Sequence, residues 1–386
     1  MKNLHFKEDN LSYTILKLIL YFAIALYPVY IFPSGTIQIS HFLLIIFSIL
    51  TLIHIGISLN KYFFIFLFLL SYIFFVEAFY ISYDIYEFGY SNFKYSKGVL
   101  FLTYNFILTV SLMSFFNHKK KFNIILYGLA TAILIILSSI FYEFFFDTFE
   151  YRFRGYFNNP NQLGYFSVCC FSLIYLFYRN LYISYYLMIS SIVIVVLFSI
   201  LTLSKAAFIS LLLCVLFAIK PYNHKYSKII LAILLLSIIL FTTFFFQQIL
   251  ETNFFSRLIN ALSENDSSLK MRGYFVYFEA NYMEAIFGMG PKKIYELQGY
   301  EVHSTFMMIL SSYGFIGFSI FSLLMLFWAW DIKKSYGFSG VICVCAPSIL
   351  YGLTHNGIRF SMFWIIFATS IFLSKELIKQ KNFKDK

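Results

Sequence analysis

The stretch Arg152-Phe-Arg154-Gly-Tyr-Phe-Asn158-Asn159-Pro160-Asn161-Gln-Leu-Gly164 concentrates polar chemistry in a chain that has little of it. Two guanidinium groups can grip the oxygens of a phosphate bidentately. The step Asn159-Pro160 reads as a helix N-cap followed by proline in the first turn. A helix N-terminus carries free N–H groups and the positive end of the helix dipole, so the same place suits an anion. Without the arginines the turn would read as an ordinary helix cap. With them, Arg152, Arg154, Asn159 and Asn161 form a candidate anion-binding set.

More basic and imidazole groups follow in order along the chain. Lys205, in the short turn Ser204-Lys205-Ala206-Ala207, lies close to apolar sequence and must either snorkel to the surface or face an anion. Arg257 and Arg272 lie in a long polar segment, where an arginine is either solvated or set against a ligand. His303-Ser304-Thr305 opens the next apolar run. The cationic form of an imidazole is disfavoured at a helix N-terminus, so His303 is expected to be neutral, the state a general base needs. The alternative is an interfacial capping histidine. His355-Asn356, with Arg359 nearby, is the second histidine candidate and is assigned here to substrate binding.

Other polar residues point less far. His41 and His54 lack a matching ligand cluster and read as packing or cavity-lining groups. Glu77, Glu143, Asp147 and Glu150 fall at helix ends, and their spacing alone does not argue for a divalent ion. All five cysteines (Cys169, Cys170, Cys214, Cys343, Cys345) lie in apolar runs, so no disulfide framework is implied, and Cys343-x-Cys345 has no partner ligands. The sequence contains no phosphate-binding P-loop and no glycine-rich dinucleotide pattern, and neither a cofactor nor a metal is expected.

The elements that position these groups are membrane helices. The chain has 386 residues, 60% of them hydrophobic and 12% charged, where a soluble domain carries about a quarter charged. A bilayer admits only internally hydrogen-bonded backbone, and long continuous apolar runs of about 20 residues select helices over a barrel. The expected fold is therefore all-α, a polytopic membrane protein of about twelve helices. The runs fall at 13–33, 37–57, 62–82, 98–116, 124–146, 161–178, 183–202, 204–219, 229–246, 303–330, 338–353 and 358–374. Residues 1–386 form a single integral membrane domain, with 247–302 as one large loop that shows helical patterning over Met271–Ala285 and breaks at Gly288-Met-Gly290-Pro291. A loop of this length with its own pattern is usually functional.

Lys and Arg near span ends set orientation. With the N-terminus in the cytoplasm, the inside segments collect Lys2, Lys7, Lys17, Lys61, Lys119, Lys120, Lys121, Arg179, Lys220, Lys225, Lys228, Lys333, Lys334 and the lysines of the tail. The first apolar run lacks a small-residue cleavage site and reads as a retained span. Both termini are then cytoplasmic and the 247–302 loop lies outside. The net charge of +11 reports this orientation and does not argue for a nucleic-acid partner. The helices beginning near Pro160, Ser204, His303 and Gly357 would present their N-termini to the outer face together.

In this order the pieces resemble the O-antigen ligase and O-antigen polymerase superfamily of bacterial envelope enzymes. The matching elements are Arg154-Gly-x-Phe157-x-Asn159-Pro160-Asn161, Ser204-Lys205-Ala206, Arg272 ahead of Gly288-x-Gly290, and His303-Ser304 ahead of Gly314-Phe-Ile-Gly317. They span roughly residues 150–320; the first 120 resemble the family only in being membrane spans. The family usually has arginine at the place of Lys205 and His-Asn at the place of His303-Ser304. A lysine keeps the charge without the bidentate fork, and a serine still caps the helix.

The resemblance implies metal-independent glycosyl transfer on the periplasmic face of the inner membrane. The donor would be a glycan carried on undecaprenyl pyrophosphate. Arg272, Lys205 and Arg154 would stabilise the leaving pyrophosphate and His303 would take the proton of the attacking hydroxyl, with Arg152, Asn159, Asn161, Arg257 and His355 binding substrate. A polymerase joining repeat units is the leading reading, since the Asn-Pro-Asn turn occurs widely among polymerases. A ligase transferring the glycan to lipid A–core is the alternative, and a lipid-linked glycan flippase is the second, although transporters gather charge near the midplane and this chain gathers it at helix ends. The implied partners are the lipid-linked glycan and the bilayer, and a chain-length regulator is left open.

Overall fold

In the computed structural model, residues 10–33, 36–88, 97–118, 123–146, 152–219 and 272–384 are described. They form helices and connecting turns, with no strand among the described residues. Thirteen α-helical segments are described: α1 Asn10–Ala25, α2 Ile39–His54, α3 Lys61–Phe88, α4 Lys97–His118, α5 Asn123–Phe145, α6 Pro160–Arg179, α7 Tyr185–Leu201, α8 Lys205–Ile219, α9 Tyr282–Phe287, α10 Gly290–Gln298, α11 Thr305–Gly340, α12 Ala346–Thr354 and α13 Ser361–Lys384. The segments 61–87, 98–118, 123–145, 305–354 and 361–379 are each long and apolar enough to cross a bilayer. Shorter apolar helices accompany them at 11–25, 39–54, 185–201 and 206–218. The chain is a helical membrane protein. The run at 229–246 lies outside the described residues.

Burial sorts the helices. Gln162 to Tyr178 of α6 are all buried, because α7, α8, α12 and α13 surround that helix. Outer spans leave aromatic side chains exposed, such as Phe64, Phe68, Phe75 and Phe79 along α3, the surface a bilayer covers. The α1–α2–α4–α5 group packs to one side, and α3 lies against α4 and α11.

Several apolar runs divide differently from their sequence pattern. The first helix ends at Ala25 although the apolar run continues to residue 33. Pro28 and Pro33 interrupt it, and the Gln38 amide holds the returning chain by accepting from the N–H groups of Ile31 and Phe32 and donating to the Phe32 carbonyl. The α3 helix continues to Phe88, which places Glu77 well inside a helix and not at its end. The runs 303–330 and 338–353 are divided at Gly337 (φ 73, ψ −168), up to which the first helix continues, and a further break at Gly314 (φ 64, ψ −171) falls inside the first run. A π-helical turn at Val341–Cys345 then leads into α12. The last helix starts at Ser361, after a 3₁₀ turn at Gly357–Arg359.

The segment Met271–Ala285 is likewise not one helix. Gly273 turns the chain at φ +77, a 3₁₀ turn spans Val276–Glu279, and Asn281 caps a new helix. Its side chain accepts from the Glu284 N–H at 2.9 Å while the Glu284 carboxylate accepts from the Asn281 N–H at 3.1 Å, a reciprocal capping box. After Gly288-Met-Gly290 the chain resumes as α10.

Candidate functional site

The connections preceding α6, α8, α11 and α13 meet at one end of the bundle. Arg152 reaches across two of them: its Nε donates to the Thr202 carbonyl at the C-terminus of α7, and Nη2 donates to Asn161 Oδ1, both at 3.0 Å. The neighbouring Phe153 ring is fully buried and its N–H donates to the Leu201 carbonyl. Gly155 then turns at φ +54 beneath Ser139, whose hydroxyl would lie 3.0 Å from an added Cβ. Asn159 caps α6 through its Oδ1 on the Gln162 N–H, with Pro160 in the first turn. Asn158 donates to the Phe32 carbonyl, tying the turn to the loop after α1. The Arg152 guanidinium is thus built into the scaffold, whereas Arg154 is exposed.

The histidines sit on the opposite wall of this end. Ser304 caps α11, accepting from the Met307 N–H and donating to the Gly352 carbonyl, each at 3.3 Å. That hydroxyl fixes His303 just outside the helix, where Tyr300 lies parallel to the imidazole at 6.3 Å. His355 ends α12, and its ring stacks on Tyr351 at 4.5 Å. The His355 carbonyl accepts from both the N–H and the hydroxyl of Thr305, so the two histidine segments are hydrogen-bonded to each other. Tyr351 donates to the Asn161 carbonyl at 2.7 Å, which joins the histidine wall to the arginine turn.

Electrostatics couple these groups. The His355 pKa falls from 6.5 to about 4, first through burial and then through the fields of Arg272, His303 and Arg152. His303, although its edge is exposed, is also lowered. Partial desolvation is the main cause; Arg359 and Arg272 add to it, and Glu301 opposes them. Sequence reasoning assigns the neutrality of His303 to the helix terminus; partial desolvation and two guanidinium groups act in the same direction. Thr354 donates its hydroxyl to the Tyr351 carbonyl and lies 2.9 Å from His355 Nδ1. With that hydrogen given to Tyr351, the Thr354 hydroxyl can accept from a His355 Nδ1–H, the tautomer that leaves Nε2 as an acceptor.

Of the residues singled out from sequence, Arg152, Asn161, Arg272, His303 and His355 are brought together. Asn159 caps the helix beneath them and Arg154 lies on the exposed side of the same turn. Lys205 opens α8, directly after a turn packed against Gly164; the Lys205 side chain, Arg257, Asp147 and Glu150 lie outside the described residues. His41 is a packing residue, its Nδ1 accepting from the Gln38 N–H with Tyr27, Tyr30 and Tyr104 around the ring. Glu77 is buried and accepts from the Tyr313 hydroxyl at 3.1 Å. Sequence reasoning gives no role to the Arg359–Glu301 ion pair at 2.5 Å or to Tyr351. The spacing of Tyr351 and His355, four apart on a helix, is the signal available for the second.

The segment carrying Arg272 and His303 is clamped onto the bundle at the Gly314 break. Met289 donates to the Ser311 carbonyl, and Tyr72 and Tyr80 donate to the carbonyls of Phe287 and Gly288. An added Cβ at Gly288 would stand 2.2 Å from the Ser312 oxygen, and one at Gly314 would stand 2.3 Å from the Ile286 oxygen. Both positions need glycine for this backbone-on-backbone contact.

Among the described residues, the groups gathered at this end are guanidinium and neutral imidazole, with the Glu301 carboxylate paired to Arg359, and no cluster of three or more His, Cys, Asp or Glu. Such a set can bind an anion, stabilise charge that builds on a leaving group, and accept a proton. No protein-family model matches the chain, and no curated protein matches it.

Proposed function

We propose that this protein is a polysaccharide polymerase that joins repeat units carried on undecaprenyl pyrophosphate, on the periplasmic face of a bacterial inner membrane. In this reading about twelve spans cross the membrane, both termini are cytoplasmic, and the 247–302 loop and the arginine–histidine end face outward. The observation that carries it is the convergence of Arg152, Arg272 and Arg359 with two neutral imidazoles, His303 and His355, at one end of a membrane bundle.

A sugar hydroxyl of the acceptor attacks the anomeric carbon of the donor glycan. The new glycosidic C–O bond forms as the bond from the anomeric carbon to the pyrophosphate oxygen breaks, with inversion. His303 takes the hydroxyl proton and passes it to solvent, and undecaprenyl pyrophosphate leaves with the bonding pair. Guanidinium groups fixed in place before the charge develops stabilise it without reorganising, and such stabilisation is usually the largest catalytic contribution.

The test is gel analysis of lipopolysaccharide from a strain lacking the gene. A single repeat on the core is the polymerase outcome. Bare core with accumulated lipid-linked polymer would make the protein a ligase. Bare core with unpolymerised lipid-linked repeats held on the cytoplasmic side would make it a flippase.

A further inference from the structure

A cleft of about 710 Å³ lies between α3 and the α9–α10 segment, a volume in the range that holds small ligands, about 300–1,000 Å³. Phe75, Phe79 and Tyr83 of α3 line it together with Met283 and Phe287 of α9, and all five side chains are exposed. Phe75 and Phe79 belong to the α3 surface that a bilayer covers, so the cleft opens to hydrocarbon along that side. Its floor is fixed. The Tyr80 hydroxyl donates to the Gly288 carbonyl at 2.6 Å, and an added Cβ at Gly290 would stand 2.7 Å from the Tyr80 ring.

The rest of the lining is ionic: Asp84, Glu284, Lys292, Lys293 and Glu296. Lys292 meets Asp84 at 2.9 Å and Lys293 meets Glu284 at 2.5 Å. Those two carboxylates are largely covered, whereas the Glu296 side chain is 59% exposed and 3.9 Å from Lys292, and the Lys293 side chain is 41% exposed. The most accessible charges are therefore one ammonium and one carboxylate, three residues apart on α10 and so on one face of it. This pair decides the ligand. A hydrocarbon chain needs no polar partner and suits the apolar walls. A purely anionic headgroup would meet three carboxylates against two lysines. A headgroup with a phosphate and a primary ammonium meets both signs, the phosphate oxygen accepting from Lys293 and the ammonium donating to Glu296.

We propose that this cleft binds a zwitterionic phospholipid, with an acyl chain along Phe75, Phe79 and Phe287 and the headgroup across Lys293 and Glu296. The ligand differs from the lipid-linked substrate of the function proposed above, and the site stands without that reading. Because Gly288 and Gly290 line the cleft, the bound lipid braces the segment that is clamped at the Gly314 break.

The experiment is lipid retention by the full-length protein in detergent. It is read by native mass spectrometry after equilibration with equal amounts of phosphatidylethanolamine and phosphatidylglycerol of the same acyl chains. Wild type should retain phosphatidylethanolamine about three- to fivefold over phosphatidylglycerol, the size of effect that exposed charge pairs give. Glu296→Lys turns three carboxylates and two lysines into two and three, and should reverse the preference. It should leave Tm unchanged, since the contact it removes is an exposed one at 3.9 Å. Phe79→Ser takes a ring from the wall and should reduce retention of both lipids.

No preference in wild type, or a preference that Glu296→Lys leaves in place, would overturn the proposal. Unchanged retention in Phe79→Ser would place the lipid elsewhere and overturn it as well. So would undecaprenyl pyrophosphate competing the phospholipid off the protein, which would give the cleft to the substrate chain. Retention is read without turnover, so this inference can fail while the polymerase reading stands, and the reverse.

Discussion

Arg272 touches the electrostatics of both imidazoles, so its replacement separates charge from geometry. Arg272→Ala should abolish polymer in cells while the protein still accumulates in the membrane, and Arg272→Lys should be severely impaired because the bidentate fork is lost. Normal ladders from Arg272→Ala would make it a surface arginine. A well-placed base contributes about 10²- to 10⁴-fold, so His303→Ala and His303→Gln should lower turnover by that order with donor binding nearly intact. His355→Ala is the comparison, since His355 lies in the field of Arg272 and Arg152, and a larger loss there would move the proton acceptor to His355. Stability carries a further sign. The folded-state pKa of His355, about 4, lies below its unfolded value near 6.5, so the unfolded chain binds more protons between those values. The stability His355 contributes is therefore full above pH 6.5 and is lost as pH falls toward 4, by up to about 1.4 kcal/mol per pH unit. Thermal melts at pH 7 and pH 5 should show a smaller drop for His355→Gln than for wild type; equal drops would contradict the buried neutral histidine.

At the scale of elements, Gly314 and Gly337 carry similar backbone angles in different surroundings. Both have φ near +70 and ψ near 180, a region other residues enter at about 1–3 kcal/mol. Only at Gly314 would an added Cβ also meet backbone atoms, the nearest at 2.3 Å, while nothing lies within 4 Å at Gly337. Gly314→Ala should therefore lower Tm more than Gly337→Ala and should reduce activity by loosening the segment that carries Arg272 and His303. Equal Tm losses would show that the clamp across Gly314 contributes nothing. The break at Gly314 is illegible in the sequence because glycine is common in membrane helices, so it reads as one more residue of an apolar run, whereas the break at Gly337 falls in the gap between the runs 303–330 and 338–353. The bend at Asn281 is legible but easily passed over: Asn281-x-x-Glu284 spells a capping box inside a stretch whose apolar spacing reads as one helix. The arginines and histidines stand out for the opposite reason, as polar groups at the edges of apolar runs, where few other roles compete. Tyr351 does not, because a tyrosine in an apolar run is ordinary until its bond to the Asn161 carbonyl is known.

For the molecule as a whole, the account requires the arginine–histidine end to face outward. Glu296 is exposed on α10, near that end, and Lys333 is exposed on α11, toward the opposite end. In a background lacking the native cysteines, Glu296→Cys should react in intact cells with an impermeant thiol reagent and Lys333→Cys should not. The reverse pattern would invert the orientation and remove the periplasmic reaction with it.

The most direct measurement is reconstitution: purified protein in liposomes, supplied only with undecaprenyl-pyrophosphate-linked repeat units and no added metal or nucleotide. The account predicts a ladder of lipid-linked oligomers, one undecaprenyl pyrophosphate released per linkage formed, and neither product from the His303→Ala, Arg272→Ala double variant. Substrate recovered unchanged from wild-type liposomes, with the protein folded and outward-facing, would contradict it.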